Sequence, residues 1–89
     1  MIKTDQTKLK RLIYQSTHRG CKETDFLLGK FATAHLKSFS NEELETYEKF
    51  ISEDDWDIYA WLTGELPFPL EHDNEVTTKL RKFNNSISA

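Results

Sequence analysis

The chain holds a single cysteine, two prolines and three isolated glycines in 89 residues, and each scarcity closes off a class of protein. One thiol, Cys21, cannot form a disulfide within the chain, so no cross-linked scaffold is available and a reducing compartment is expected. The glycines, Gly20, Gly29 and Gly64, are too scattered for a phosphate-cradling loop. No G-x-S-x-G elbow and no H-E-x-x-H pair is present. No apolar run approaches the roughly 18 residues that a membrane span needs. The first residues, Met1-Ile2-Lys3-Thr4-Asp5-Gln6, lack the apolar core of a secretion signal. A cytoplasmic protein without direct membrane insertion is therefore expected. A strand-like alternation of polar and apolar residues is absent as well.

What is present is charge, aromatic residues and the helical period. The net charge of −3 conceals a segregation. The first 22 residues carry six cations against Asp5, residues 23–75 carry 14 acids against Lys30, Lys37 and Lys49, and the last 14 add Lys79, Arg81 and Lys82. Such a middle repels a nucleic-acid backbone, so the simplest expectation is that both basic ends dock on the acidic centre. Two Trp, three Tyr and six Phe give a chain of this size the area to close a core.

Five segments repeat apolar residues at helical spacing. The first spans about Asp5 to His18, with Leu9, Leu12, Ile13 and Ser16 on one face. Gly20 follows, a residue able to take positive φ past a helix end. The second spans about Glu23 to Lys37, and its early acids Glu23 and Asp25 suit the helix dipole. Ser40 and Glu43 have the spacing of a capping box and open the third. The fourth, about Asp54 to Thr63, is apolar on most sides and is expected to be the buried one, with Trp56 and Trp61 in the core. Gly64 ends it. Leu66-Pro67-Phe68-Pro69-Leu70 cannot be helical inside and reads as an extended strap whose apolar residues pack on the bundle. The last helix runs from about Asn74 to Phe83, and residues 84–89 read as a frayed tail. The expected fold is all-α: one domain, residues 1–89 with its core at about 5–83, built as a compact bundle of four to five short helices with the strap before the last.

Candidate chemistry is sparse. His18, Cys21, His35 and His72 lack metal-site spacing, so no metal is expected. Cys21 beside Arg19 and Lys22 has no orienting base beyond His18, so catalysis is not expected either. Glu53, Asp54, Asp55 and Asp57 lack the spacing of a calcium loop and read as helix-capping acids. His35 reads as a satisfied boundary residue. The segment that stands out is Arg19-Gly20-Cys21-Lys22-Glu23, a cation, a glycine and an anion at the first helix corner. From the residues alone it is either an ordinary corner closed by a salt bridge or a surface for a partner. A small regulator using the basic first helix is the other functional class left open.

Arg19, Gly20 and Glu23 match R-G-x-x-E, and with this motif the chain resembles the SdhE family, in the style of its alphaproteobacterial members. The likeness continues through His18, Asp25-Phe26-Leu27-Leu28-Gly29-Lys30-Phe31-Ala32, Leu44, Tyr47 and Asp57-Ile58-Tyr59-Ala60-Trp61-Leu62-Thr63-Gly64. It also takes in Pro67, Pro69 and Glu71-His72-Asp73, and so covers about residues 9–83. The family consists of small assembly factors for succinate dehydrogenase. The resemblance implies a protein, not an enzyme, that binds the flavoprotein subunit and promotes covalent attachment of FAD to it, with fumarate reductase flavoprotein a possible second client. It implies that Arg19, Gly20 and Glu23 meet the partner, with His18, Lys22 and Asp25 flanking them. FAD would belong to the client; no tightly bound cofactor of the chain's own, no nucleic acid and a monomeric free state are expected.

Overall fold

The computed structural model describes residues 6–88. Five α-helices follow in order: α1 (Gln6–Thr17), α2 (Lys22–His35), α3 (Asn41–Ile51), α4 (Asp55–Thr63) and α5 (Glu75–Ser88). One-turn 3₁₀ segments at Leu36–Ser38 and Leu70–His72 bend the chain between them. The described residues form a helical bundle with no strand, as expected; Asp5, the expected first residue of α1, lies outside them. Helix α2 is central and packs on α1, α4 and α5, while α3 closes against α1, α4 and α5.

Local chemistry sets the boundaries. Both halves of the capping box form at α3, Glu43 N–H donating to Ser40 Oγ (3.1 Å) and Ser40 N–H to Glu43 Oε1 (2.9 Å). These bonds hold the Glu43 carboxyl below its ordinary range. Asp54 caps α4 by accepting from Trp56 N–H at 3.0 Å. Gly64 ends that helix at φ 86°, the left-handed conformation a glycine adopts without penalty. At α5, Asn74 and Thr77 exchange side-chain bonds to each other's N–H groups at 3.0 and 3.1 Å.

The core is aromatic at its centre. Phe31 meets Phe39, Tyr47, Phe83 and the half-buried His35, which makes His35 the boundary residue expected. Leu12, Leu28, Phe50, Ile58 and Leu80 fill the space around them. Ser16 sits on the apolar stripe of α1 because its hydroxyl is satisfied. It donates to Leu12 O at 2.8 Å and lies 2.6 Å from the Tyr47 hydroxyl, which donates in turn. Burial pushes the Tyr47 phenol well above its ordinary pKa.

The basic ends do dock on the acidic middle. Lys8 and Arg11 both reach Glu48, at 3.3 and 2.8 Å, Lys79 reaches Glu43 at 3.5 Å, and Arg81 lies 3.9 Å from Asp73.

Four expectations are corrected. Helix α4 is not the buried one: Ile58 is its single buried residue, and Trp56 is 67% exposed. A nine-residue helix at the edge of a small bundle has one neighbouring face to cover, so its remaining apolar residues stay outside. In the strap, Phe68 packs against Phe50 and Trp61 as expected, but Leu66 and Leu70 are exposed. Residues 84–88 continue α5 rather than fraying, and Asn84 is buried with neither amide atom hydrogen-bonded. Finally, Gly20 does not take positive φ; Gly64 alone does among the described residues.

Gly29 marks a close approach of α1 to α2. A Cβ there would meet Thr17 Cγ2 at 3.0 Å, and Thr17 is pinned through its hydroxyl to Ile13 O (3.0 Å) and Tyr14 O (3.1 Å). Gly29→Ala gains about 1 kcal/mol of helix propensity, yet this overlap outweighs it. We expect a net loss of about 1 kcal/mol, read as a melting temperature lower by roughly 4–8 °C. In a Thr17→Ser background, which keeps the hydroxyl and removes the methyl, the same change should stabilise. A rise in melting temperature from Gly29→Ala alone would show the helices to be less closely packed than this.

Candidate functional site: the α1–α2 corner

The corner between α1 and α2 is closed from across the fold, by the turn that joins α3 to α4. Arg19 Nε donates to Asp55 Oδ1 in a short charge-assisted bond, and its terminal nitrogen donates to Glu53 O at 3.1 Å. The other Asp55 oxygen accepts from Gly20 N–H at 3.3 Å. Thr24 Oγ1 donates to Asp55 O at 3.4 Å, and Asp25 reaches back to accept from Arg19 N–H. Asp55 thus receives both the guanidinium and the backbone of the corner while standing in the first turn of α4, where a carboxylate suits the helix dipole.

The polar connection continues past the corner. Glu53, whose carbonyl takes Arg19, places its carboxylate 2.7 Å from Nε2 of the buried His72. Glu71 Oε2 lies 3.8 Å from the same nitrogen. Glu53, Glu71 and His72 are the group of potential metal donors that converges among the described residues, within 4.8 Å. Of the four residues weighed in the sequence as ligands, His72 alone belongs to it. Its evident work is mechanical, since it ties the strap to the α3–α4 turn beneath Phe50 and Trp61.

The six residues singled out in the sequence therefore divide by direction. The Arg19 side chain is only 12% exposed, and its Nε and one terminal nitrogen donate within the chain. Asp25 is half-buried and holds the corner. Gly20, Lys22, Glu23 and His18 face outward. The His18 ring stacks on Tyr14 at 4.0 Å, with Nδ1 2.9 Å from Thr17 Oγ1. Glu23 accepts from the Cys21 thiol at 3.2 Å, and this bond, with the Glu23 backbone N–H, holds its carboxyl below the ordinary range. Arg19 and Glu23 do not pair with each other. The acids of the α3–α4 turn act as structural partners: Asp54 as a cap, Asp55 for Arg19, Glu53 for His72.

Gly20 has no internal reason to be glycine. Its φ is not positive, and a Cβ built there meets only Asp55 Oδ2, at an ordinary 3.7 Å. Within the chain, nothing requires a bare backbone at this exposed position.

The sequence pattern missed the aromatic residues around this corner. Trp56, Phe26 and Tyr14 are 67, 52 and 61% exposed, and Trp56 meets Tyr59 edge-on at 6.2 Å. The signal was there: Trp56 and Ile58 stand two apart and cannot share a helix face.

Fold and corner define a class: a small all-helical domain that displays an R-G-x-x-E turn at the junction of its first two helices, braced from beneath by an acidic turn. The chain belongs to the family described as flavinator of succinate dehydrogenase, whose model matches residues 10–84. It is 46% identical over 79 residues to succinate dehydrogenase assembly factor 2-A, mitochondrial, of Drosophila erecta, an alignment covering 86% of this chain and 49% of that protein. It is 47% identical over 83 residues to succinate dehydrogenase assembly factor 2, mitochondrial, of Candida glabrata, covering 89% and 54%. The chain thus spans about half the length of these curated relatives.

Proposed function

We propose that this protein is an assembly factor that binds the flavoprotein subunit of succinate dehydrogenase and promotes covalent attachment of FAD to it. The observation that carries this reading is Gly20, a glycine that its own chain does not need, displayed at the corner that bears the family motif. A bare backbone lets a second protein approach to hydrogen-bonding distance where a side chain would hold it off. Gly20, Glu23, Lys22 and His18 form the contact surface; Arg19 and Asp25 position it. The chain acts as a chaperone rather than a catalyst: by binding the bond-competent arrangement of the client more tightly than others, it raises that population in proportion to the affinity difference. FAD enters as the client's cofactor, and the free protein is a monomer.

No helix among the described residues is long and apolar enough to cross a membrane. The sequence pointed to the cytoplasm whereas the relatives carry mitochondrial names; the compartment we infer is the aqueous one in which the client takes up FAD. Against the alternative of a small regulator, an antitoxin or nucleic-acid-binding protein using the basic first helix, stands the engagement of Lys8 and Arg11 of α1 by Glu48.

Co-expression of the flavoprotein subunit with and without this chain tests the function. Covalent flavin, read as fluorescence of the client band in a denaturing gel, should rise at least tenfold with the chain present, corresponding to about 1.4 kcal/mol of population shift. Equal fluorescence in both arms would reject it. The same assay with a fumarate reductase flavoprotein decides whether that protein is a second client.

A further inference from the structure

The outer face of α4 carries an arrangement that the corner motif does not account for. Trp56 stands 67% exposed at the start of a helix whose buried residue, Ile58, points the other way. An open groove of about 440 Å³ runs between this indole and the Cys21–Glu23 segment, with Asp54 and Asp55 along its wall. A second, of about 400 Å³, lies between Phe26 and Tyr59 and shares Lys22 and Glu23 with the first. Lys22 and Glu23 therefore form a ridge between two aromatic-walled hollows.

The charges beside the indole are unevenly signed. Asp55 is neutralised by Arg19. Glu23 accepts from a thiol and Asp54 from the backbone N–H of Trp56, both neutral donors, so neither is held in an ion pair as Asp55 is. Two carboxylates thus line this groove against one ammonium, that of Lys22. At the far hollow the sign changes, with Lys30 Nζ 5.3 Å from the centre of the Phe26 ring. An exposed π-face flanked by carboxylates is the chemistry that receives a guanidinium or ammonium group: the ring attracts the cation through its quadrupole and the acids pair with its N–H donors. Tryptophan provides the strongest such face and is enriched among residues that dominate binding energy.

The geometry points to a cation-binding groove in which Trp56, flanked by Glu23 and Asp54, takes an arginine or lysine side chain of the client protein, beside the backbone contact at Gly20. This rests on the assembly-factor reading, since it assigns a chemistry to the partner of that same corner. Each residue has a separate part: Trp56 supplies area and the cation–π contact, Glu23 and Asp54 the charge.

The test measures the affinity of the purified flavoprotein subunit for the wild-type chain, Trp56→Ala, Trp56→Leu and the double variant Glu23→Gln/Asp54→Asn. Asparagine keeps the α4 cap, so the double variant removes charge without unfolding the helix. Matching melting temperatures confirm that the comparison is of surfaces. Trp56→Ala should weaken binding at least 30-fold, as loss of a central aromatic anchor does. Trp56→Leu should weaken it nearly as much, and the double variant about tenfold with a flatter dependence on salt. If the wild-type chain fails to bind at all, the assembly-factor reading itself falls. If it binds and every variant binds within about twofold of it, the groove is not part of the interface. Weakening by both Trp56 variants but not by the charge variant would leave an apolar anchor and overturn the cationic partner.

Discussion

Gly20→Arg should abolish covalent flavin attachment to a co-expressed flavoprotein while leaving the chain folded. The two halves of this result have separate causes. Within the chain, the position is exposed, its φ suits any residue, and the first atom of a side chain meets nothing nearer than 3.7 Å. A substitution of this kind alters stability by about 0.5 kcal/mol or less, a few degrees at most in melting temperature. Outside the chain, a guanidinium on a four-bond stem stands where the proposed docking brings the partner to the backbone. A lost contact at the centre of an interface costs at least about 2 kcal/mol, or some 30-fold in affinity. Flavin fluorescence should fall to the level seen without the chain. Gly20→Ala refines the measurement, because a single methyl adds almost no bulk that the chain itself can feel. A graded loss from Ala to Arg at constant melting temperature measures how close the client comes. A fall of about 10 °C or more in Gly20→Arg would instead make the glycine structural, and undiminished flavin in a folded variant would remove the corner from the interface.

The corner stood out in five consecutive residues, and the family resemblance rather than their spacing marked it as a partner surface; how it is built was legible from neither. Helix ends depend on neighbours within four residues, so the Ser40–Glu43 box, the Asp54 cap and the Gly64 stop followed from spacing alone. The partner of Arg19 is 36 residues away in Asp55, and no local pattern announces a contact at that separation. The same limit explains α4. Apolar on most sides, Asp55–Thr63 satisfies the composition of a buried helix, yet burial needs neighbours on every side, and this helix has α2 and α3 on its inner side. Trp56 was consequently assigned to the core when it is among the most exposed large residues of the fold. Asn84 erred the other way: a polar residue near the end of a chain suggests a tail, but α5 continues and buries it. The two residues that local rules leave without an explanation, Gly20 and Trp56, line the same open groove.

Arg19→Ala should act on the fold before it acts on the function. The Arg19 side chain is 12% exposed and the Asp55 side chain 24%, so the pair lies between a surface ion pair, worth about 1 kcal/mol or less, and a fully buried one, whose rupture costs about 3–5 kcal/mol. Its removal also frees Glu53 O and leaves Asp55 with the weaker 3.3 Å bond from Gly20. An expected loss of about 2–3 kcal/mol lowers the melting temperature of a domain this size by roughly 10–20 °C. Arg19→Lys keeps the charge but not the planar fork that serves Asp55 and Glu53 together, and should recover less than half of the loss. A double-mutant cycle with Asp55→Asn isolates the pair, with a coupling of about 1–3 kcal/mol expected. Flavin attachment should fail in Arg19→Ala at growth temperature and return when co-expression is carried out well below the melting range, since the outward residues are intact and only their support has been loosened. The contrary pattern, a normal melting temperature, negligible coupling to Asp55 and flavin attachment lost at every temperature, would move Arg19 from beneath the docking surface into it. The exposed glycine would then owe its role to an arginine that leaves Asp55 for the client on binding.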